Sequence, residues 1–307
     1  MRVVFMGTPE FAVPSLEAVF ASRHEVVAVV TTADKPSGRS LRMTESPVKK
    51  AARRYELPIL QPDELRDPFF IRALAGFSPE VFLVVAFRIL PPEVFSIPPF
   101  GCINLHPSLL PELRGAAPIN WALMRGLSRT GLTTFLIERQ VDTGDILLQE
   151  PVDIKPDDDA GSLSARLAEL GAQLCIRTLE GLEAGELKPG PQKGEVSTAP
   201  RLTRDTCRID WNRPAVEIHN QVRGLSPTPA AFTTLNQKTV KLFCTKPLDD
   251  FGDGEPGTVA GEVDDMLAVY TGREALGIIE LQMEGRRRMN AGEFLRGKSI
   301  LPGTSLG

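Results

Sequence analysis

Asn104 and His106, one residue apart within FGCINLHPSLLPELRGAAPINW (100–121), are the side chains in this sequence best suited to chemistry. An imidazole with an ordinary pKa of about 6.5 takes and returns a proton at working pH. A side-chain amide donates to a developing oxyanion without itself carrying charge. The pair suits a reaction in which a proton moves while negative charge grows on an oxygen. A histidine at a strand end also serves simply to cap backbone, so position alone leaves both roles open. A carboxylate that orients the imidazole and supports its charged form would complete the set. Two candidates lie 36 positions on, in TTFLIERQVDTGDILLQE (133–150), where Asp142 and Asp145 flank Thr143-Gly144 between two strand-like runs. The same four residues make an ordinary turn. By residue type and spacing, Asp142 and Asp145 compete. The other two histidines are expected to be bland: His24 at the surface in the polar turn before HEVVAVV, and His219 packed or exposed inside the helical stretch PAVEIHNQVRG.

Positioning these groups needs strands ahead of them. VFLVVAFRIL (81–90) is an almost unbroken apolar run, as in a strand buried on both faces, and Gly101-Cys102-Ile103 begins a shorter one. Asn104 and His106 then leave the same side of a strand end, and in open α/β sheets ligands bind in the crevice beyond those ends. Pro107 and Pro111 stiffen the following loop, Gly115 turns it, and Pro118 fits the first turn of a helix through Trp121 and Leu123. Upstream, RVVFMG, PSLEAVFAS, HEVVAVVTT, SPVKKAARRYE, LPILQ and DPFFIRALAG alternate strand and helix, the rhythm of a mostly parallel sheet. The turn after the first strand is Gly7-Thr-Pro-Glu-Phe, without the further glycines of a dinucleotide fingerprint, so no nucleotide cofactor is expected. Residues 33–50 read as a long βα loop, and with the next helix they carry Lys35, Arg39, Arg42, Lys49, Lys50, Arg53 and Arg54. In SARLAELGAQLCIRTLEGLEAG (164–185), Leu167, Leu170, Leu174, Cys175 and Leu182 share a helical face, with Leu179 at its edge. KPGPQKGEVSTAPRLTRD (188–205) lacks periodicity and reads as a linker; CRIDW begins the remainder as a short strand, and further short strands follow between Gly and Asp turns.

With these residues in view, NLHPSLLPELRGAAPINWAL followed by VDTGDIL resembles the formyltransferases that use 10-formyltetrahydrofolate. MGTPEFAVPSLEAV, SPVKKAA, RIDWNRPAVEIHNQVRGLSP and EFLRGKSILPGTSLG resemble the branch of that family that formylates methionyl-tRNA, so the likeness spans nearly the whole chain. The resemblance implies an α/β fold in which a Rossmann-like formyltransferase domain, with a mostly parallel sheet, is followed by a small OB-like β-barrel domain. The expected boundaries are 1–188 for the catalytic domain, 189–205 for the linker and 206–307 for a C-terminal domain that contacts tRNA. The resemblance selects Asp142 over Asp145, giving Asn104, His106 and Asp142 as catalytic. It implies a folate wall at Ser108, Leu109, Leu110 and Pro111, with Phe87 and Arg88 nearby. It points to the loop carrying Lys35 and Arg39 for tRNA; the same basic stretch adds Arg42 and Lys49, and the basic turn at Arg286 and Arg287 reads as an accessory RNA-backbone contact. The expected co-substrate is 10-formyltetrahydrofolate, the expected partner initiator methionyl-tRNA, and no metal is called for. Two departures stand out: Phe87-Arg88 where Tyr-Gly is usual, and LSPTPAAF (225–232), which lacks an aromatic residue after Ser-Pro.

Composition sets the outer limits. A chain of 307 residues, 42% hydrophobic and 24% charged, has room for two globular domains. No apolar run approaches the ~20 residues of a membrane helix, and MRVVFMGTPEF has too short an apolar core for a signal peptide, so a cytoplasmic protein is expected, with a monomer as the default state. The four scattered cysteines suggest neither zinc nor disulfides. A net charge of -4 means that any RNA contact comes from a local patch. Two rival readings are a formyltransferase for small amines, which would need neither the basic loop nor the C-terminal domain, and an RNA-binding module, which would have no use for Asn104, His106 and Asp142 together.

Overall fold

The first apolar runs are too continuous to face water on either side, and they become the interior of one sheet. The computed structural model describes residues 1–37, 42–249, 251–252, 254–297 and 300–307, with the side chains of Ser37 and Arg42 outside the description. The chain begins with β1 (Arg2–Gly7), α1 (Val13–Ala21), β2 (Glu25–Val30), β3 (Lys35–Ser37), β4 (Arg42–Thr44), α2 (Pro47–Arg54), β5 (Ile59–Leu60) and α3 (Pro68–Gly76). It continues through β6 (Val81–Val85), α4 (Pro92–Phe95), β7 (Cys102–His106), β8 (Arg114–Gly115), α5 (Pro118–Met124), β9 (Arg129–Leu136), β10 (Ile146–Asp153), α6 (Ala160–Glu183) and β11 (Thr198–Ala199). Local chemistry starts the helices where the sequence suggests. The Ser46 hydroxyl accepts from the Lys49 amide ahead of Pro47, and the Asp67 carboxylate accepts from the Phe69 amide ahead of Pro68.

The sheet order is β10-β9-β7-β6-β1-β2-β5, parallel from β7 to β5, with β9 antiparallel to β7. Every residue of β6 is buried, as expected for a strand covered on both faces. Thr134 on β9 and Thr178 on α6 join hydroxyls at 2.8 Å, and Leu174, Cys175 and Leu179 are fully buried, so Leu179 belongs to the buried face and not to its edge. The stretch 33–50 differs from the expected loop: β3 and β4 pair antiparallel, Lys35 opposite Thr44.

The chain forms two compact units, one of residues 1–115, 130–153 and 164–199, the other of 116–129, 154–163 and 200–307. The last crossing between them falls inside the expected linker, whereas α5 and the start of α6, expected within the catalytic domain, cluster with the second unit. That unit adds α7 (Arg204–Cys207), α8 (Ala215–Leu225), β12 (Ala231–Leu235), β13 (Lys238–Leu248), β14 (Val259–Val263), β15 (Met266–Tyr270), β16 (Ala275–Met283), β17 (Met289–Asn290) and α9 (Ala291–Gly297). Its sheet runs β12-β13-β16-β15-β14 with β17 on β16, and each of these pairings is antiparallel. The strand expected at CRIDW is only a single bridge between Arg208 and Phe232. Trp211, Ile218, Leu225, Leu242, Ile278 and Phe294 fill this core, and the Trp211 indole N–H donates to Thr233 Oγ1 at 3.1 Å. Among the described residues no helix is long and apolar enough to cross a membrane.

His24 departs from its expected place. It is buried, with Nδ1 3.1 Å from the Met1 amine. His219 sits on α8 with Nδ1 3.1 Å from Thr245 Oγ1. Burial lowers the pKa of all three histidines from the usual value, in His24 with the Met1 amine adding to the effect. The folded protein therefore holds fewer protons than the unfolded chain once pH falls below about 6.5, and folding stability is lost as pH drops through that range. Asp34, Glu183 and Asp210, whose pKa values are lowered by hydrogen bonds, lose their contributions only nearer pH 4, roughly the free carboxyl value. The urea midpoint is expected to fall between pH 7.5 and 5.5, and a folded His24→Gln/His219→Gln variant is expected to show a shallower fall.

Candidate active site

His106 ends β7 and is 4% exposed, with Thr133 of β9 as its pairing partner. Asn104 lies two residues earlier on the same face of β7, half-buried between Val84 of β6 and Phe135 of β9. The imidazole is fixed through Nε2, which lies 3.1 Å from the Leu113 carbonyl. A carbonyl only accepts, so Nε2 carries the hydrogen and donates it, leaving Nδ1 with the lone pair. Burial pushes this imidazole's pKa down, while nearby Asp142 and the bond to Leu113 oppose the shift without reversing it. The resting ring is neutral at neutral pH.

The carboxylate of Asp142 approaches from the β9–β10 connection, its Oδ2 3.9 Å from His106 Nδ1. At that separation its influence is electrostatic, not a direct hydrogen bond. What holds it is the Gly115 amide, which donates to Oδ2 at 2.9 Å. Gly115 has φ of 124°, and a Cβ there would meet the Ala199 carbonyl at 2.7 Å, so only glycine offers its amide here without strain. Asp142 itself has φ of 55°, an uncommon conformation for a residue with a side chain. Asp145 plays a different part, its carbonyl accepting from the Leu136 amide at 3.0 Å.

Between His106 and Leu113 the chain is clasped by hydroxyls and amides. Thr133 Oγ1 donates to the Ser108 carbonyl at 2.7 Å and accepts from the Leu110 amide at 3.1 Å and from Gln149 Nε2 at 2.9 Å. Gln149 Nε2 also donates to the Leu110 carbonyl at 2.9 Å, and Ser108 Oγ donates to the Glu112 carbonyl at 2.6 Å. Ser108, Leu110 and Pro111 are buried and Leu109 is half-buried, so this segment is fixed before any ligand arrives. Phe87 and Arg88 follow β6. The Arg88 guanidinium lies 5.3 Å from the Phe87 ring centroid and donates to the carbonyls of Asp63 and Pro62. Its Nε is buried without a hydrogen-bond partner among the described residues.

The basic residues expected to contact tRNA belong to both units. Lys35 is exposed on β3, Arg39 and the Arg42 side chain lie outside the described residues, and Arg286 and Arg287 are exposed in the second unit. Lys49 is 16% exposed and ion-paired with Asp34 at 2.7 Å and Glu45 at 3.8 Å, so its charge is neutralised within the fold. Arg287 pairs with Glu293. Among the described residues no group of three or more His, Cys, Asp or Glu side chains is placed to hold a metal ion.

Sequence reasoning missed two residues in the stretch taken as linker. Ser197 Oγ accepts from the Leu113 amide at 2.9 Å, and Gln192 donates to the carbonyls of Asp142 and Gly144. No local pattern marks either one.

The family model described as formyl transferase matches residues 1–179, and the one for its C-terminal domain matches 201–299. Methionyl-tRNA formyltransferase of Syntrophus aciditrophicus is 45% identical, covering 100% of this chain and 99% of its own. The enzyme of that name from Caldanaerobacter subterraneus is also 45% identical, covering 100% of both. The chain belongs to the methionyl-tRNA formyltransferase family. The fold of this methionyl-tRNA formyltransferase family member also resembles HypX from Aquifex aeolicus, solved in complex with tetrahydrofolic acid: TM-score 0.66 at 21% identity, over 99% of this chain and 50% of that one.

The clasp gives a test of how the site is held. Thr133→Val keeps the shape but leaves the Leu110 amide and the Ser108 carbonyl without this partner. Urea unfolding is expected to show a loss of roughly 2 kcal/mol, the usual scale for an orphaned buried polar group, with less loss in Thr133→Ser.

Proposed function

We propose that the protein transfers the formyl group of 10-formyltetrahydrofolate to the α-amine of methionine carried on initiator tRNA. The observation that carries this reading is the full-length match, through both units, to enzymes named for that reaction. The geometry of the first unit supports the chemistry. The folate co-substrate supplies a formyl carbon bound to nitrogen. Asn104 offers its amide to the formyl oxygen as charge develops there. His106 takes the proton released by the attacking amine at Nδ1, the nitrogen that Leu113 leaves free, and returns it to the departing nitrogen. Asp142 favours the imidazolium that exists between those two transfers. Charge balances throughout: the amine loses one proton and the leaving nitrogen gains it.

For the folate, Leu109 and Phe87 offer partly exposed apolar surface, with the Arg88 guanidinium against the Phe87 ring. For the tRNA we assign the exposed basic residues Lys35 and Arg286, with Arg39, Arg42 and Arg287 as further contacts; Lys49 serves instead to anchor the base of the β3–β4 segment through Asp34.

Two measurements test this reading. With 10-formyltetrahydrofolate, initiator methionyl-tRNA is expected to be formylated far faster than elongator methionyl-tRNA; transfer only to small amines would sink the tRNA assignment. His106→Gln and Asp142→Asn are each expected to fold and to lose about 10²–10⁴-fold in turnover, the range for a positioned acid–base group, and near-normal turnover in a folded variant would remove that residue from catalysis.

A further inference from the structure

Asp142 sits in a turn with φ of 55°, a left-handed conformation that aspartate tolerates in turns and that contacts distant in sequence hold here. Those contacts converge on one side chain. Gln192 Nε2 donates to the Asp142 carbonyl at 2.9 Å and to the Gly144 carbonyl at 2.9 Å, bridging both ends of the turn. Gln192 Oε1 accepts from Arg114 Nη2 at 2.6 Å and from Arg114 Nε at 3.2 Å. Both donors and both acceptor positions of the amide are thus used. Arg114 immediately precedes Gly115, whose amide holds the Asp142 carboxylate. Asp142 is therefore tied to two adjacent residues, by its carboxylate to Gly115 and by its carbonyl, through Gln192, to Arg114. The Gly144 position adds a stop: a Cβ there would collide with the Leu136 carbonyl, which fixes the depth of the turn. Arg114 and Gly115 are held in turn by β8–β11 pairing with Thr198 and Ala199.

We propose that Gln192 is a positioning residue for the reaction, setting the Asp142 turn so that its carboxylate faces His106 Nδ1. The inference rests on the reading of Asn104, His106 and Asp142 as the reaction centre. It also changes the role of the segment 189–205: part of what reads as a linker is a wall of the active site. Gln192 touches no reacting atom, so its effect passes through Asp142. Asp142 is the charged group acting on His106, and the Leu113 carbonyl is the other group bearing on the ring.

The test uses the full-length protein and Gln192→Met, which keeps the length and neutrality of the side chain and removes its hydrogen bonds. NMR titration follows the three histidines, with His106 assigned from its absence in His106→Gln. With Asp142 displaced, the support it gives the imidazolium is weakened, so His106 is expected to titrate at lower pH in Gln192→Met than in wild type, with His24 and His219 unmoved. Turnover is expected to fall roughly 10–100-fold, the scale for a misplaced catalytic group, with little change in KM. In an Asp142→Asn background the same substitution is expected to cost nothing further, because the two residues act as one unit. An unchanged His106 titration in folded Gln192→Met overturns the proposal, whatever substrate the protein uses. Independent, additive losses in the double variant overturn it as well. Should Gln192→Met fail to fold, Gln192→Asn, too short to span both carbonyls, takes its place with the same readouts. A wild-type protein inactive on methionyl-tRNA would instead defeat the substrate assignment, and the titration would still decide the role of Gln192.

Discussion

On the proposed reading the buried imidazole of His106 is neutral at rest and still accepts a proton on demand, and the groups around it are arranged to meet that constraint. The neutral state follows from exclusion of water around His106. The capacity to accept a proton requires one nitrogen to be free and a negative group to stand near it. Leu113 satisfies the first requirement by holding Nε2–H, and Asp142 the second by facing Nδ1 without bonding to it at rest. A direct bond in the resting state would bring the carboxylate against a lone pair, so the gap of 3.9 Å is the arrangement a neutral ring prefers. The carboxylate is held instead by a backbone amide, which donates whatever the protonation state of the ring.

That requirement explains why so much polar structure surrounds a short loop. Leu113 offers its carbonyl from a left-handed conformation, φ 56°, and needs support on both sides. Ser197 holds its amide, Thr133 and Gln149 hold the chain three residues earlier, and both strand neighbours of His106 are already fixed in the sheet. Each of these groups is pinned by more than one contact, so the site is set before any substrate arrives. Pre-organisation of this kind removes reorganisation from the moment of reaction.

What the sequence revealed follows from the range of each interaction. The buried strands announce themselves by composition, and Asn104 and His106 by their spacing on one of them, because period and burial are local properties. Asp142 and Asp145 looked alike because their difference lies in a contact with Gly115, 27 positions away. Gln192 and Ser197 were invisible for the same reason: an amide that bridges two carbonyls some 50 residues distant leaves no trace in its own neighbourhood. His24 reads as surface yet is buried, because turn composition says nothing of what packs over the turn. The β3–β4 segment was legible as basic but not as paired strands, since a proline and serines dominate the local signal.

Charge counting fails in a related way. The overall charge of -4 gives no long-range attraction to a polyanion, so the proposed RNA acceptor must be drawn by local groups. Yet several of the basic residues that appear available are already neutralised: Lys49 by Asp34 and Glu45, Arg53 by Glu45, Arg288 by Glu280, Arg287 by Glu293. A paired arginine that moves to a phosphate leaves a carboxylate behind, and that residual charge repels the same phosphate. Free lysines and arginines therefore weigh more in attraction than their number suggests. Paired ones contribute shape and position. On the proposed reading, discrimination between a tRNA and a small amine lies less in net charge than in which basic groups stand unpaired on the surface of each unit, because the chemistry proposed at His106 serves either acceptor.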